Sequence, residues 1–198
     1  MTIKASALLS IVAIWATMIP AVIAEPGEWW SLIFAGLATM AIGISSWRRL
    51  GLSRVIAIAG IWAGTALATV ESDGWIAIFA FLATATAVHS IMQRTAILNG
   101  VAIATAWLVV GIVVNGADGD GSWISVFAFL TGASVANHRS ESRGAAAIGW
   151  WILAGAIMIA TEGSHWLAVI AWFLSTMALG FHGFSLPRRI EWDLLDRD

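Results

Sequence analysis

Three histidines are the residues of this chain whose type and position could carry chemistry: His89, His138 and His182. Each follows a tryptophan, by 14, 15 and 16 residues respectively, and each lies near the end of a long apolar run. A neutral imidazole is a ready axial ligand for haem iron or for the magnesium of a chlorophyll-type pigment. Cofactor binding is therefore one function that these three residues could support.

The spacing and the surroundings of the histidines favour a plainer role. One residue of drift along a helix rotates a side chain by about 100°, so the three imidazoles do not share a face. Arg or Ser residues lie near them, as is typical of the headgroup level of a membrane, where polar residues are tolerated. The sequence thus predicts interfacial histidines and no cofactor, with a haem or chlorophyll-type pigment as the alternative.

Other reactive patterns are missing from the sequence. There is no cysteine to form a disulfide, a thiolate metal site or a nucleophile. No glycine-rich phosphate loop, metalloprotease histidine pair or Ser/His/Asp set with plausible spacing is present. We therefore predict a protein that is not an enzyme, with no catalytic residue and no metal site.

The composition indicates the environment of the helices that carry these residues. Hydrophobic residues make up 60% of the 198-residue chain and charged residues only 11%, against about 25% charged residues in a typical soluble domain. Thirteen tryptophans stand beside no tyrosine, and tryptophan favours membrane interfaces. The chain is predicted to be an all-α integral membrane protein.

Eight apolar runs of 15 to 20 residues, without Asp, Glu, Lys or Arg, divide the chain. They cover about Ala5–Ala24, Trp30–Ser46, Val55–Val70, Trp75–Ser90, Ala96–Val114, Trp123–Asn137, Ala145–Ala160 and Trp166–Phe184. About 20 residues span the hydrocarbon core as a helix, so we predict eight transmembrane helices. The shortest runs could instead be buried-core helices, and the first resembles a signal peptide; its Trp15, which matches Trp62 in position, favours a membrane helix.

Charge placement predicts the topology. The turns within successive pairs of runs hold seven acidic residues and no basic one: Glu25, Glu28, Glu71, Asp73, Asp118, Asp120 and Glu162. All ten basic residues lie on the other side. The positive-inside rule then places both termini in the cytoplasm and the acidic turns outside the cell's inner, or cytoplasmic, membrane. The interfacial anchors are expected to be Trp30, Trp75, Trp123, Trp166, Arg48, Arg49, Arg94, Arg188 and Arg189.

Tryptophan spacing predicts an internal repeat. Tryptophans in the middle of alternate runs are 47, 45 and 44 residues apart, at Trp15, Trp62, Trp107 and Trp151. Tryptophans that open the intervening runs are 45, 48 and 43 residues apart. The sequence therefore predicts four parallel tandem two-helix repeats, at about 3–49, 50–94, 95–141 and 142–187. They form one transmembrane domain over 1–187, followed by a cytoplasmic tail at 188–198.

The first unit carries a family resemblance. It reads Trp15-Ala-Thr-Met-Ile-Pro20, then an acidic turn, Trp29-Trp30 and a second apolar run. This pattern resembles the SPW repeat, a two-helix membrane module named for a Ser-Pro-Trp signature. Only the first unit retains the proline, and none has Ser-Pro-Trp. The resemblance implies a bacterial membrane protein and assigns no activity.

Rows of small residues indicate how the helices pack. They recur at four-residue spacing and include Gly60, Gly64, Ala68, Ala102 and Ala106. Such rows let membrane helices approach closely. We predict that they pack the bundle internally; docking of a partner subunit is the alternative.

Taken together, these patterns predict a structural or accessory (scaffold) subunit that packs against other membrane proteins or against itself. Its partners are then membrane lipids and membrane protein subunits, with no nucleic acid. Two alternatives remain: a transporter or channel for a small neutral or lipid-like solute, and a pigment- or haem-binding subunit of a photosynthetic or respiratory complex.

Overall fold

The computed structural model describes residues 5–45, 50–69, 75–90, 97–116, 121–137, 141–161 and 164–181. Over these residues every regular element is a helix and there is no strand, which confirms the predicted all-helical class. The helices are α1 (Ala5–Ala24), α2 (Ser31–Ser45), α3 (Leu52–Thr69), α4 (Ile76–His89), α5 (Ile97–Gly116), α6 (Ile124–Ala136), α7 (Glu141–Ala160) and α8 (Trp166–Phe181). A 3-10 turn at Pro26–Glu28 joins α1 to α2.

The helices follow the apolar runs closely, but two of them begin earlier. Helix α1 has the bounds of its run, whereas α3 begins three residues before Val55 and α7 begins four residues before Ala145. Apolar runs mark only the part of a helix that avoids water. Polar residues such as Ser53 and Arg54 can occupy a first helical turn, because their side chains reach water or other polar groups there.

The described helices pack in two rows. The first row is α1, α3, α5 and α7, in that order, and the second is α2, α4, α6 and α8. Each helix of the first row also contacts the next helix in the chain, across the two rows. Within the described residues no comparable packing joins α1 to α7 or α2 to α8, so the rows have open ends.

The closest contact lies between α3 and α5. A Cβ atom placed on Gly60 would overlap Ala104, and one placed on Gly64 would overlap the carbonyl oxygen of Trp107. The same holds for Gly100 against the carbonyl of Ser53. The residue numbers rise together along both helices, so α3 and α5 run parallel. Glycines therefore let the two backbones touch, which gives dispersion contacts at short range.

Burial decreases from the middle of the first row to its end. In the most apolar 18-residue stretch of each helix, 61% of α5 and 56% of α3 is buried, but only 28% of α1. Large side chains of α1 such as Leu9 and Val12 are exposed. The middle helices are covered on two sides by their row and on a third by the other row, whereas α1 has a neighbour on one side of its row only.

Three helices, α1, α3 and α5, are long and apolar enough to cross a membrane. The apolar stretches of the other five helices are shorter among the residues whose side chains the structure describes: Ser31–Ser45, Ile76–His89, Ile124–Ala136, Gly144–Ala160 and Trp166–Met177. These properties are compatible with a membrane protein.

Candidate functional site

Tryptophan–threonine hydrogen bonds join the two rows in the bundle interior. The indole Nε1 of Trp15 donates to Oγ1 of Thr39 at 3.1 Å, and that of Trp62 donates to Oγ1 of Thr84 at 2.9 Å. An indole N–H is a donor only, and in an apolar interior it needs an acceptor. Each bond therefore fixes the orientation of a large ring and links α1 to α2 or α3 to α4.

The acceptor threonines are themselves held in place. Thr39 donates its hydroxyl proton to the carbonyl oxygen of Ala35 at 2.9 Å, and Thr84 donates to that of Ala80 at 2.8 Å. Back-bonding of this kind satisfies the hydroxyl proton within the helix. The oxygen lone pairs then point outward, where the neighbouring indole can use them.

The third tryptophan of the set, Trp107 on α5, differs from the others. Its side chain is fully buried, yet its Nε1 has no hydrogen-bond partner among the described residues. A buried, unsatisfied donor costs about 1–3 kcal/mol. Most buried polar groups in proteins are paired, so this indole is an exception that needs a physical cause.

The cause is a one-residue offset in α6. Thr39 and Thr84 lie nine residues after the tryptophan that opens their segment, but in α6 the ninth residue is Gly132 and the hydroxyl belongs to Thr131. One residue corresponds to about 100° around a helix. The hydroxyl of Thr131 is thereby directed to α7, where it accepts from Nε1 of Trp151 at 3.1 Å.

Gly132 occupies the side of α6 that faces α5. A Cβ atom on Gly132 would lie 3.6 Å and 3.8 Å from two side-chain carbons of Ile103, which is ordinary contact distance. Ile103 is one helical turn before Trp107 on the same face of α5. Gly132 therefore offers no side-chain acceptor on the side of α6 that faces α5.

The small residues singled out from the sequence are placed as follows. Gly60 and Gly64 lie on the face of α3 that touches α5. Ala68, Ala102 and Ala106 are fully buried within α3 and α5.

His89, at the end of α4, is exposed and has both ring nitrogens in polar contacts. Nδ1 is 2.9 Å from the carbonyl oxygen of Ala85, and Nε2 is 3.3 Å from Oγ of Ser45 on α2. Neither nitrogen is presented to open space as an axial ligand would be. His138 and His182 lie outside the described residues.

The predicted tryptophan anchors lie at the ends of the second-row helices. Trp75 and Trp166 are largely exposed, Trp123 is partly covered, and Trp30 is half-buried. The rings of Trp123 and Trp166 meet edge to face, with centroids 6.1 Å apart. The arginines predicted to accompany them, Arg48, Arg49, Arg94, Arg188 and Arg189, are outside the described residues.

Sequence reasoning missed one polar contact at the opposite end of the bundle from these tryptophans. Nη2 of Arg54, in the first turn of α3, donates to the carbonyl oxygen of Ser90 at 2.9 Å. This charge-assisted bond caps the end of α4, where backbone carbonyls lack helical partners. The sequence predicts Arg54 on the cytoplasmic side from its charge, and it does not predict this hydrogen bond.

The described residues contain no group of three or more His, Asp or Glu side chains that could hold a metal ion. Comparison of the chain with models of known protein families, with curated proteins and with solved structures finds no match. Its function is therefore inferred from the contacts described above.

Proposed function

We propose that the chain is a polytopic membrane protein of four parallel two-helix repeats, related to the SPW-repeat modules. Two observations support this. The rows α1-α3-α5-α7 and α2-α4-α6-α8 are the neighbours that such repeats would have, and α3 and α5 run parallel. In this arrangement the eight helices span the inner membrane with both termini in the cytoplasm, and the shorter helices use flanking tryptophans to reach the interfaces.

We propose further that the protein is a non-enzymatic scaffold or accessory subunit that binds other membrane proteins or a second copy of itself. The observation that carries this proposal is the open end of the rows. Exposed apolar side chains cover the outward face of α8, among them Ile170, Phe173 and Met177. A membrane helix with an uncovered side can continue the packing through a neighbouring protein.

The interior supports a packing role more than a transport role. Among the described residues, the buried hydroxyls of Thr65 and Thr69 are engaged within their own helix, because they donate to the carbonyl oxygens of Ile61 and Thr65 at 2.8 Å and 2.7 Å. The contacts of His89 likewise do not favour a pigment or haem ligand. The scaffold is therefore preferred to both alternatives.

Photocrosslinking in native membranes tests the scaffold. A photoreactive amino acid at Phe173 on the exposed face of α8 is expected to give one defined adduct with a membrane protein or a second copy. The matched control is the same group at Ala171, two residues earlier on the buried side of α8 and 1% exposed, which should crosslink only within the chain. Lipid adducts alone at Phe173, together with a monomeric protein in mild detergent, would contradict the proposal.

A further inference from the structure

We propose that a second copy of the chain continues the first row, with α7 of one copy packed on α1 of the next. The inference rests on the proposed function, because it names the partner and the surfaces through which the scaffold associates. Its basis is a contact between first-row helices that the chain uses twice in the same register. The two halves of that contact are exposed at the two ends of the row.

The contact between α3 and α5 involves two glycines of α5. A Cβ atom on Gly100 would overlap the carbonyl group of Ser53, and one on Gly111 would lie 2.5 Å from the carbonyl oxygen of Gly64. The face of α5 that contains these glycines therefore packs on the face of α3 that contains Ser53 and Gly64.

The contact between α5 and α7 repeats this pattern. A Cβ atom on Gly144 would lie 2.7 Å from the carbonyl oxygen of Leu98, and one on Gly155 would lie 2.7 Å from Cγ1 of Val109. The two α5 positions lie 45 residues after their counterparts in α3, and the two glycines of α7 lie 44 residues after those of α5. The mid-run tryptophans of these helices have the same spacings. Consecutive helices of the first row thus pack through equivalent positions.

The same register identifies an exposed half of this contact on α7. The positions of Gly60 and Gly64 in α3 correspond, 89 residues later, to Gly149 and Leu153. Both are exposed, Leu153 at 51%, and nothing lies within 4 Å of a Cβ atom placed on Gly149. At about 100° per residue they lie on roughly the opposite side of α7 from the glycines that contact α5. Together with the exposed Ala156 they form the outward face of α7.

The complementary half lies on α1. The α5 positions that face α3 have counterparts 92 residues earlier, at Leu8, Val12 and Ile19. Their side chains are 51%, 53% and 46% exposed, and they form the outward face of α1. Leu8 and Ile19 stand where α5 has glycine, so the contact between copies is made by side chains and not by touching backbones. Val12 then lies opposite the exposed Gly149.

Every copy carries both faces, and all copies have the same orientation in the membrane. The outward face of α7 can therefore meet the outward face of α1 at the depth and register that the chain already uses twice. Van der Waals packing between apolar helices drives such association in lipid. Because the two faces differ, the contact is heterologous and links copies head to tail, in a ring or in an open chain.

Disulfide crosslinking in membranes tests the contact, because the chain has no cysteine of its own. Two differently tagged copies, one with Leu153→Cys and the other with Ile19→Cys, are expressed together and oxidised. The equivalent internal pair is Val109 and Gly155, where Cβ of Val109 lies 3.6 Å from a Cβ atom placed on Gly155, a distance that a disulfide spans. We expect a crosslink between the two tagged copies and none between copies with the same tag.

The matched control for register is Ile23→Cys in place of Ile19→Cys. Ile23 is more exposed, at 73%, but it lies one helical turn further along α1, a displacement of about 6 Å that a disulfide cannot span. Its crosslink with Leu153→Cys should be weaker by about tenfold or more. The positive control for oxidation is Val109→Cys with Gly155→Cys, which should crosslink within one chain.

A second variant fills the proposed contact. Gly149→Leu adds a side chain where the copy has open space, so the chain should fold, and overpacking against Val12 should reduce the crosslink by about tenfold. Gly36→Leu is its control, because nothing lies within 4 Å of a Cβ atom at that site either, and it should leave the crosslink unchanged. An unchanged crosslink in Gly149→Leu would overturn the placement of Val12.

Two other results would overturn the inference. A crosslink between two Leu153→Cys copies would show a two-fold contact of α7 with α7. No crosslink between copies, while the internal pair crosslinks, would mean that lipid covers both faces. In either case a protein adduct at Phe173 would keep the scaffold proposal, whereas lipid adducts alone at Phe173 with a monomeric protein would overturn both.

Discussion

Two neighbouring helix pairs, α3 with α4 and α5 with α6, each bury a tryptophan at the middle of the first-row helix. In α3 and α4 the ring of Trp62 is tied to Thr84 by a 2.9 Å bond between the helices. In α5 and α6 the ring of Trp107 is equally buried, but its N–H receives no acceptor from the described residues. The burial of the two rings is alike, and the polar contact is different.

The difference arises from where a single hydroxyl sits on the second helix. In α6 the hydroxyl belongs to Thr131 and not to the next residue, Gly132, so it faces α7 rather than α5. It therefore bonds to Trp151. Helix α5 is then held mainly by its backbone contact with α3 at Gly60 and Gly64. Neighbouring helix pairs can therefore share a sequence pattern and still be connected by different bonds.

The largest expected effect comes from Gly64→Ala, which breaks the contact that both tryptophan sites share. The added methyl group would overlap the carbonyl of Trp107, and a backbone cannot move aside as a flexible side chain can. We expect the free energy of unfolding to fall by about 3 kcal/mol, which is the upper end of the usual cost of overpacking. The measurement is unfolding of the purified chain in mixed micelles. Gly36→Ala is the control, because nothing lies within 4 Å of that site; equal effects of the two changes would refute this account.

The next effect tests the α3–α4 bond directly. Thr84→Val keeps the shape of the side chain but leaves the Trp62 N–H without an acceptor, which makes the site resemble that of Trp107. We expect the free energy of unfolding to fall by about 1–3 kcal/mol. Thr86→Val in the same helix is the matched control, because Thr86 bonds only to its own helix at Leu82, and it should cost much less. Comparable losses of stability in Thr84→Val and Thr86→Val would mean that the Trp62–Thr84 hydrogen bond does not account for the loss.

A smaller difference in stability is expected between changes at Trp62 and changes at Trp107. Trp62→Phe and Trp107→Phe remove similar volumes, but only the first removes a direct interhelical hydrogen bond. Trp62→Phe should therefore be the more destabilising by about 1 kcal/mol, the net value of one such bond. Thermal and denaturant unfolding of both variants would measure the difference, and a larger loss for Trp107→Phe would reverse the comparison.

The smallest effect is expected at the helix ends. His89→Ala removes a 3.3 Å contact with Ser45 at an exposed site, so stability should change by about 0.5 kcal/mol or less. The visible absorption of the purified protein should not change either. A visible band present in the wild type and lost in His89→Ala would restore the pigment or haem hypothesis.

The helical class and most helix bounds could be predicted from the sequence, because few structures other than helices accommodate apolar runs without charges. The run at Ala5–Ala24 reproduces α1, and the run at Trp75–Ser90 misses the bounds of α4 by one residue at each end. The apolar runs begin three and four residues after the starts of α3 and α7, because hydropathy does not register polar residues in a first helical turn.

The partner of each tryptophan could not be predicted. Spacing indicated that Trp107 and Trp151 are equivalent to Trp62, but the acceptor depends on the rotation of α6 about its own axis. A one-residue difference between Thr131 and Gly132 is invisible to hydropathy, yet it decides which neighbouring helix receives the bond. The sequence also placed His89 near a helix end without indicating that both ring nitrogens would be engaged.

The open rows have a consequence for how the molecule comes apart. In a closed ring every helix has two neighbours along the ring, whereas the terminal helix of an open row has one neighbour in its row. Helix α1 contacts α3 in its own row and α2 in the other row, and it is the least buried of the three long helices, so fraying should start there and progress toward α3 and α5. The middle helices are then expected to unfold last. The terminal helices can exchange one neighbour for another while the middle of the bundle stays folded.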